Sequence, residues 1–442
     1  MSLISTMIET YNGNNINEKE IKKLQYKRLK KLVKYAKNNS EYFNKLYKEV
    51  KEDFKLEDLP TTNKIDLMNN FDTYITDKSI NMNKIEEFTS DIDNVGRMIN
   101  NKYLIFKTSG STGNPVVVLY DKKNIDVSSS VAAFRTFARK EDFKAFMKNG
   151  KRTAGVFAKY GFYLACGMSR YLELKMKKNN KITIDVNSKE ENIIKELNSF
   201  NPSMLSGYPS NLALLSNFKE LTIKPDVVIT GGELLTDEIR NKLENKFNCY
   251  VQTHYSCTEA GEIACECSER HLHINEDWII LEPVDKNNNS VGYDKLSDKV
   301  LITNLSNYIE PFIRYELTDR VIVHSEKCKC GKNTHFLEIE GRTDDILEFE
   351  NSIKIAPMSF YKILEEIDGI TRFQLIMRSN KKLELRLISA KKEEVFENAK
   401  NELTKFLNSK NIFEVEIFLS KDEPQANKIS GKFNHIYKDY EE

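Results

Sequence analysis

A loop rich in hydroxyl groups and glycine lies between the apolar runs 103–106 and 116–120 of this 442-residue chain. Its candidate ligand-binding residues are Ser109, Gly110, Ser111, Thr112 and Gly113. Glycine lets the backbone approach a ligand closely, and hydroxyls with free amide N–H groups can surround phosphate oxygens. The Gly-x4-Gly-Lys-Ser/Thr spacing of a Walker loop is missing. By itself the segment predicts either a polyphosphate site or a polar hairpin loop.

A second segment that could carry chemistry is 254–261, which follows the strand-like run 249–253. It contains Tyr255, Thr258 and Glu259 and ends with a glycine. A glutamate beside a threonine in such a loop could bind Mg2+ and a phosphate oxygen. A Thr-Glu pair that caps a helix is the alternative interpretation of the same residues.

Cysteine and histidine form two short-spaced groups in the second half of the chain. Thiolates and imidazoles at such spacings are what a tetrahedral structural Zn2+ requires. The favoured ligands are Cys267, His273, Cys328 and Cys330, with Cys265 or His271 as substitutes. Reduced cysteines near a loop are the alternative, and seven cysteines in a long chain do not indicate a disulfide framework.

Other polar and aromatic residues stand where a nucleotide and an acyl group could be bound. Asp319 ends an apolar and aromatic run and could accept hydrogen bonds from the vicinal hydroxyls of a ribose, although such aspartates are usually only solvated. The polar segment 427–434 presents Lys432. Tyr160, Phe162 and Tyr163 could line an aromatic pocket or take part in ordinary packing.

The elements that must position these residues alternate between strand and helix from 153 to 230. Alternation of this kind predicts a largely parallel sheet with helices on both faces, and ligands bind at the carboxyl ends of its strands. The loops 207–210, 231–233 and 254–261 are predicted to lie there. The predicted fold class is therefore α/β, with a large domain over 1–341 that includes a β-rich section, and a small α+β domain over 342–442.

Net charge and apolar content argue against two classes of partner, nucleic acids and membranes. The formal charge is +1, from 67 basic and 66 acidic residues, which argues against nucleic acid as a partner. The sequence contains no apolar stretch of 18 residues and no basic segment followed by a long apolar core at its start. We therefore expect no membrane partner and a soluble protein of the cytoplasm.

In this order the motifs resemble those of the adenylate-forming (acyl-CoA synthetase) superfamily, in the branch of phenylacetate-coenzyme A ligases and their capsule-biosynthesis CapK-like relatives. The resemblance rests on six segments: 108–115 as the phosphate loop, 231–233 as the adenine-side loop, 255–259 as the Tyr-x-x-Thr-Glu motif, 315–319 as the ribose motif, 341–345 as the hinge and 431–432 as the lysine loop. One departure is that Val116 follows Pro115, where many members have lysine.

The resemblance implies an ATP- and Mg2+-dependent ligase that activates a small-molecule carboxylic acid as an acyl-adenylate and transfers it to the thiol of CoA or of a carrier protein. In the implied mechanism Lys432 stabilises charge on the α-phosphorus, Glu259 binds Mg2+ and Thr258 contacts phosphate. Besides the phosphate loop, the implied nucleotide contacts are Gly231, Gly232, Glu233, Tyr255, Asp319 and Arg342. Asp344 is the implied hinge of a mobile small domain that acts as a lid.

The expected substrate is an aryl or arylacetic acid. The candidate acyl-pocket residues are Tyr160, Phe162, Tyr163, Tyr208, Ala260 and Gly261. A homodimer is compatible with the resemblance. Two alternatives stay open, namely a stand-alone adenylating enzyme that delivers its acyl group to a carrier-protein thiol or an amine, and a nucleotide-binding homologue that has lost turnover.

Overall fold

A computed structural model describes residues 2–108, 115–175, 180–428 and 430–440. The chain forms two compact units, the first comprising Met1–Leu317 and Ile322–Glu338 and the second Thr318–Val321 and Ile339–Glu442. The second unit thus begins close to the predicted boundary at residue 341 and also takes the short segment Thr318–Val321. The functional assignment of the two domains stays a prediction.

The first unit begins with helices. Their bounds are α1 (Leu3–Gly13), α2 (Glu18–Asn39), α3 (Glu41–Leu46), α4 (Lys64–Asn69), α5 (Phe71–Tyr74) and α6 (Met82–Ser90). Helix α2 begins at a capping box, in which Asn17 and Glu20 satisfy each other's backbone N–H groups. Its apolar residues recur at helical spacing, so that one face is buried and the charged face remains exposed.

A three-stranded antiparallel sheet and two helices follow. Their bounds are β1 (Met98–Ile99), β2 (Tyr103–Lys107), β3 (Val117–Tyr120), α7 (Lys122–Arg135) and α8 (Lys140–Lys148). Strands β2 and β3 pair in antiparallel register from Leu104–Tyr120 to Lys107–Val117. The predicted phosphate loop therefore lies between two paired strands, and its residues 109–114 are outside the described part of the chain.

The remaining elements of the first unit include the central sheet. Their bounds are β4 (Thr153–Phe157), α9 (Leu164–Lys175), β5 (Lys181–Asp185), α10 (Glu190–Phe200), β6 (Met204–Gly207), α11 (Pro209–Leu215), β7 (Val227–Gly231), α12 (Asp237–Phe247), β8 (Tyr250–Cys257), β9 (Gly261–Glu266), β10 (Leu272–Ile274), β11 (Ile279–Val284), β12 (Lys299–Asn304), β13 (Tyr315–Leu317), β14 (Asp319–His324) and β15 (Phe336–Arg342). Strands β14 and β15 continue from one unit into the other.

The central sheet has the strand order β14-β15-β10-β9-β8-β7-β6-β4-β5 among the described residues. Strands β5, β4, β6, β7 and β8 are parallel, and β9, β10 and β15 extend the sheet in antiparallel register. Side chains of α10, α11 and α12 bury their apolar faces against β4, β6, β7 and β8. The predicted α/β fold class, with helices covering a large sheet and a β-rich section, is confirmed, and the sheet is mixed because antiparallel strands extend its parallel half.

The β-rich section contains a separate antiparallel sheet of β11, β12 and β13. It follows the central strands in the chain and ends at Leu317. Strand β12 carries three consecutive apolar residues, Val300, Leu301 and Ile302, and is buried from Val300 onwards. This sheet carries Tyr315, the first residue of the predicted ribose motif.

The second unit has its own core. Its elements are β16 (Leu347–Glu348), β17 (Lys354–Ile355), α13 (Pro357–Glu365), β18 (Arg372–Ser379), β19 (Lys382–Ile388), α14 (Lys392–Ser409), β20 (Glu416–Leu419) and β21 (Ile436–Lys438), and its larger sheet has the order β20-β19-β18-β21. Helices α13 and α14 pack their apolar faces on this sheet. Short 3-10 turns occur at Leu56–Asp58, Ile92–Asn94, Thr343–Asp345 and Glu350–Ser352. No helix in the described parts of the chain has the length and apolar character needed to cross a membrane.

Candidate active site and cysteine-histidine cluster

Three predicted loops meet at one edge of the central sheet. Strand β6 ends at Gly207, opposite Thr230, and β7 ends at Gly231, opposite His254 of β8. The backbone N–H of Ser210, after β6, donates to Oε2 of Glu233, after β7, at 3.2 Å. These strands are parallel, so the loops share the carboxyl edge, where open α/β sheets bind ligands. Tyr255 lies beside them on β8.

Thr258 and Glu259 lie in the tight turn between β8 and β9. The turn closes at Gly261, whose φ of +71° is in the left-handed region that favours glycine. A Cβ at this position would lie 3.4 Å from the Tyr120 hydroxyl. That hydroxyl donates to the Thr258 carbonyl at 2.9 Å. Strand β3, which follows the predicted phosphate loop, is thereby attached to the Thr-Glu turn.

Glu259 is 5% exposed and is held from two directions. The Tyr315 hydroxyl donates to its Oε1 at 3.1 Å, and the Asn304 amide donates to its backbone carbonyl at 3.0 Å. Burial and the charge of Glu259 raise the pKa of Tyr315 far above its usual value, so the phenol stays a donor. A carboxylate fixed in this way is of the ligand type that Mg2+ prefers.

The residues on either side of the predicted phosphate loop are hydrogen-bonded to each other. Thr108 donates its backbone N–H to the Val116 carbonyl at 2.9 Å, and its Oγ1 accepts from the Val116 N–H at 2.8 Å. The N–H of Lys107 donates to the Phe162 carbonyl at 2.6 Å. The predicted contacts Ser109, Gly110, Ser111, Thr112 and Gly113 fall outside the described residues.

Glu310 is a buried acid that sequence reasoning missed. Its side chain is 0% exposed, and its Oε2 accepts a hydrogen bond from the Leu119 N–H at 2.6 Å. Burial and the charge of Glu259 raise its pKa well above the usual value. Its position as a single acid in the apolar run 309–313 was the available signal.

The candidate acyl-pocket residues differ in burial. Phe162, Tyr208 and Ala260 are buried, and the Tyr208 ring packs edge-on against Phe157 at 5.4 Å. Tyr160 is 67% exposed. The structure thus buries part of the predicted set and leaves Tyr160 at the surface, and the pocket assignment stays a prediction.

In the second unit, the predicted ribose and hinge residues interact with each other. The Asp344 carboxylate accepts hydrogen bonds from Thr318 and from Arg342, both at 2.8 Å. Arg342 also lies 3.9 Å from Asp319. Burial, opposed by the charge of Arg342 and aided by Asp344 and Asp319, raises the pKa of the neighbouring Asp345 to about 6. The Asp344 side chain thus joins the segment Thr318–Val321 to the start of the second unit.

Lys432 lies in a loop that is held by backbone hydrogen bonds. The Asn427 N–H donates to the Lys432 carbonyl, and the Gly431 N–H donates to the Asn427 carbonyl, both at 2.8 Å. The buried Gln374 amide donates to the carbonyls of Gln425 at 2.9 Å and Asn434 at 3.0 Å. Gln374 therefore joins the two ends of the lysine loop, which the sequence pattern did not indicate.

The four favoured zinc ligands come together in the first unit. Potential ligand atoms of Cys267, His273, Cys328 and Cys330 all lie within 4.8 Å of one another. The two sulfur atoms of Cys267 and Cys328 are 3.8 Å apart, and Cys330 Sγ is 3.3 Å from His273 Nε2. Burial raises the pKa of Cys328 to about 12 and lowers the pKa of His273 to about 4.

The surroundings of this cluster suit a metal. The other ring nitrogen of His273, Nδ1, is 2.9 Å from the Thr334 carbonyl, which is the outer hydrogen bond that metal-binding histidines usually make. Of the two substitutes, His271 Nδ1 lies 3.3 Å from Cys328 Sγ. Cys265 lies instead with His254 and Glu262. A Cys3His set fits a structural zinc site.

Solved structures with the same architecture are acyl-CoA ligases. A 2-hydroxyisobutyryl-CoA ligase, in the postadenylation state in complex with 2-HIB-AMP, superposes with a TM-score of 0.71 at 15% identity, covering 97% of this chain and 91% of that chain. The chain therefore has the fold of the adenylate-forming CoA ligases.

Sequence relatives define the branch more closely. Protein CapK of Staphylococcus aureus is 25% identical over 351 residues, which is 74% of this chain and 68% of CapK. A phenylacetate-coenzyme A ligase of Thermus thermophilus is 25% identical over 383 residues, or 81% of this chain and 78% of the relative. No family model matches the chain. The predicted resemblance to phenylacetate-coenzyme A ligases and CapK is confirmed.

Proposed function

We propose that this protein is an AMP-forming acid:thiol ligase that activates a carboxylic acid with ATP and transfers the acyl group to CoA. The observation that carries the proposal is the hydrogen bond from Tyr315 to Glu259 in a turn that Tyr120 attaches to the predicted phosphate-loop hairpin. Three types of group suited to nucleotide chemistry support it: a hydroxyl loop, a buried carboxylate and the proposed ribose-side aspartate follow one another in the chain.

In the first half-reaction a carboxylate oxygen of the substrate attacks the α-phosphorus of ATP, and the bond to pyrophosphate breaks. Glu259 would bind Mg2+, which offsets the negative charge of the phosphates, while Thr258 contacts phosphate. Lys432 supplies a positive charge to the pentacoordinate phosphorus. Asp319 accepts hydrogen bonds from the ribose, and Arg342 lies beside ribose or phosphate.

In the second half-reaction the sulfur of CoA attacks the carbonyl carbon of the acyl-adenylate. The thiol loses its proton, the carbon–oxygen bond to the phosphate breaks, and AMP leaves. Asp344 is the proposed pivot that removes Lys432 between the two steps. Gly231, Gly232, Glu233 and Tyr255 are the proposed contacts to the adenine side of the nucleotide.

The cysteine-histidine cluster is proposed to hold a structural Zn2+. Its four ligands leave no open position for substrate, so we assign it no step in the reaction. No disulfide joins the seven cysteines, all of which lie in the described residues, and this suits a reducing compartment and a cytoplasmic location. A homodimer stays a prediction of the resemblance.

The decisive experiment measures pyrophosphate exchange and AMP formation with a panel of aryl, arylacetic and small aliphatic acids, with and without CoA. The proposal expects acid-dependent exchange without CoA and AMP formation that requires CoA. The relative CapK, which is not named for a thiol acceptor, favours one second candidate, adenylation for a carrier-protein thiol or an amine. Exchange without any CoA-dependent AMP formation would support that candidate, and no exchange with any acid would indicate a homologue without turnover.

A further inference from the structure

A second group of metal-binding side chains lies on the hairpin that carries Thr258 and Glu259. Potential ligand atoms of His254, Glu262 and Cys265 all lie within 4.8 Å of one another. The group is separate from the cysteine-histidine cluster, because no residue is shared between the two sets. Imidazole, carboxylate and thiolate together are ligands that zinc accepts.

A β-bulge brings these three side chains to one face. His254 lies directly opposite Cys265, and a register shift between Tyr255 and Ser256 places Ser256 opposite Glu262. Residues two apart on a strand share a face, so His254 and Ser256 point to the same side as Cys265 and Glu262. With regular pairing, Glu262 would point to the other face. Bulges commonly re-aim a side chain in this way.

His254 and Cys265 are shielded, the Glu262 side chain is 33% exposed, and one carboxylate oxygen of Glu262 lacks a hydrogen-bond partner in the described part of the chain. Cys265 is 2% exposed, and the His254 side chain is 10% exposed. The buried Oε2 of Glu262 has no hydrogen-bond partner among the described residues. Nδ1 of His254 lies 3.6 Å from this oxygen, beyond the usual hydrogen-bond distance. A positive ion between the two groups would satisfy both.

The outer surroundings of His254 also suit a metal ligand. Its Nε2 lies 3.2 Å from the Thr136 carbonyl and 3.1 Å from the Gln252 amide nitrogen. With a metal on Nδ1, which faces Glu262, the N–H at Nε2 would donate to the Thr136 carbonyl. A backbone carbonyl that fixes the second ring nitrogen is the usual partner of a metal-binding histidine.

A fourth ligand can come from a small cavity beside Glu262. The cavity has a volume of about 10 Å³ and is lined by Glu262 and Asn124, among others, which is about the space of one water molecule. Asn124 is 1% exposed, and its amide Nδ2 has no acceptor among the described residues. A water in this cavity can therefore accept from Asn124 and bind a metal.

We propose that His254, Glu262 and Cys265 form a second metal site, which binds a divalent transition metal of the zinc type with a cavity water as the fourth ligand. The ion would join β8 to β9 within the hairpin whose turn presents Glu259. The site is independent of the proposed ligase activity, since it rests on the geometry of the hairpin alone.

The test is the metal stoichiometry of the full chain after dialysis against buffered Zn2+, measured by elemental analysis. The wild-type protein is expected to hold two equivalents. Glu262→Gln and Cys265→Ser are each expected to hold one, and Cys166→Ser, which changes a cysteine buried elsewhere, is the matched control that keeps two. The double variant Cys328→Ser, Cys330→Ser is expected to keep the equivalent bound at the hairpin.

Titration with Co2+ gives a second measurement that does not depend on variants folding equally well. Wild-type protein should show thiolate-to-cobalt absorption at two successive equivalents. Hairpin variants that bind as much metal as the wild type, a double variant Cys328→Ser, Cys330→Ser that binds none, or loss of an equivalent in Cys166→Ser would each overturn the proposal. None of these outcomes depends on whether the protein turns over an acid.

Discussion

The hydroxyl of Tyr315 donates a hydrogen bond to Oε1 of Glu259 across 3.1 Å. It connects β13 to the turn between β8 and β9, although the two residues are 56 positions apart in the chain. Because both side chains are buried, the carboxylate has a fixed orientation before any metal or nucleotide arrives.

Replacing Tyr315 by phenylalanine should therefore weaken the use of MgATP. A hydrogen bond to a charged group contributes about 1.5–3 kcal/mol, so the predicted loss in kcat/KM for ATP is roughly ten- to hundredfold. The measurement is initial-rate kinetics over a range of free Mg2+. Tyr74→Phe is the control, since the Tyr74 hydroxyl is equally buried and donates to the Pro311 carbonyl instead. An equal loss in both variants would contradict a specific role at Glu259.

Lys432→Ala is predicted to abolish adenylation, because the positive charge at the α-phosphorus is lost, and to leave transfer from a supplied acyl-adenylate to CoA largely intact. The two half-reactions are measured separately, by pyrophosphate exchange and by thioester formation. Lys428→Ala removes an exposed lysine from the same loop and should leave both unchanged. Equal loss of both half-reactions in Lys432→Ala would contradict a role of Lys432 in adenylation alone.

The cysteine-histidine cluster should make the first unit depend on a metal. Cys330→Ser removes the sulfur that lies 3.3 Å from His273, and we expect loss of about one zinc equivalent and a lower Tm. Elemental analysis and thermal unfolding check this, with Cys166→Ser as the control. Wild-type protein that is purified without chelator and contains well below one zinc per chain would rule out the site.

Glu310 is predicted to act as a buried hydrogen-bond acceptor. Glu310→Leu leaves the Leu119 N–H without the acceptor that it has at 2.6 Å, and should reduce the free energy of unfolding by about 1–3 kcal/mol. Glu310→Gln keeps a carbonyl oxygen in the same place and should cost much less. Urea unfolding at neutral pH compares the two, and equal stabilities of the variants would show that the acceptor is unimportant.

His435 should make the protein less stable in mild acid. Burial, and to a lesser extent the charge of Arg372, lowers its pKa to about 4 from the usual 6.5. Between these values the unfolded chain takes up a proton and the folded chain does not, so the free energy of unfolding falls as the pH drops from 6.5 to 4. Allowing for partial exposure, the loss is about 2 kcal/mol.

The measurement is the urea midpoint of the full chain at pH 7 and pH 4.5. His435→Phe keeps a ring among the aromatic neighbours Tyr361, Phe373 and Phe433. We expect this variant to lose less stability between pH 7 and pH 4.5 than the wild type. His335→Asn should not reduce that loss of stability, because the hydrogen bond that the His335 ring donates to the Glu276 carboxylate raises the pKa of His335. A raised histidine pKa contributes stability below pH 6.5 that is lost as the pH rises, which is the opposite dependence.

Residue types and their order were sufficient to predict the α/β class, and they also led to the predictions of a small second domain and of a metal site at Cys267, His273, Cys328 and Cys330. The spacing of apolar residues along the chain distinguishes strands from helices, because side-chain directions repeat every two residues in a strand and every 3.6 residues in a helix. The contacts that complete the candidate site required the tertiary structure. Leu119 and Glu310 are 191 residues apart, and Tyr120 and Thr258 are 138 apart.

Cys265 shows that the sequence alone did not decide side-chain contacts even between residues close together in the chain. From the sequence it was a substitute ligand for the cluster of Cys267, which is only two residues away. The register of β8 against β9, with its bulge beside Tyr255, decides that Cys265 faces His254 and Glu262 instead. Sequence thus determined which residues could do chemistry. Strand register and long-range packing decided which of them meet, because a shift of one residue turns a side chain to the opposite face of the sheet.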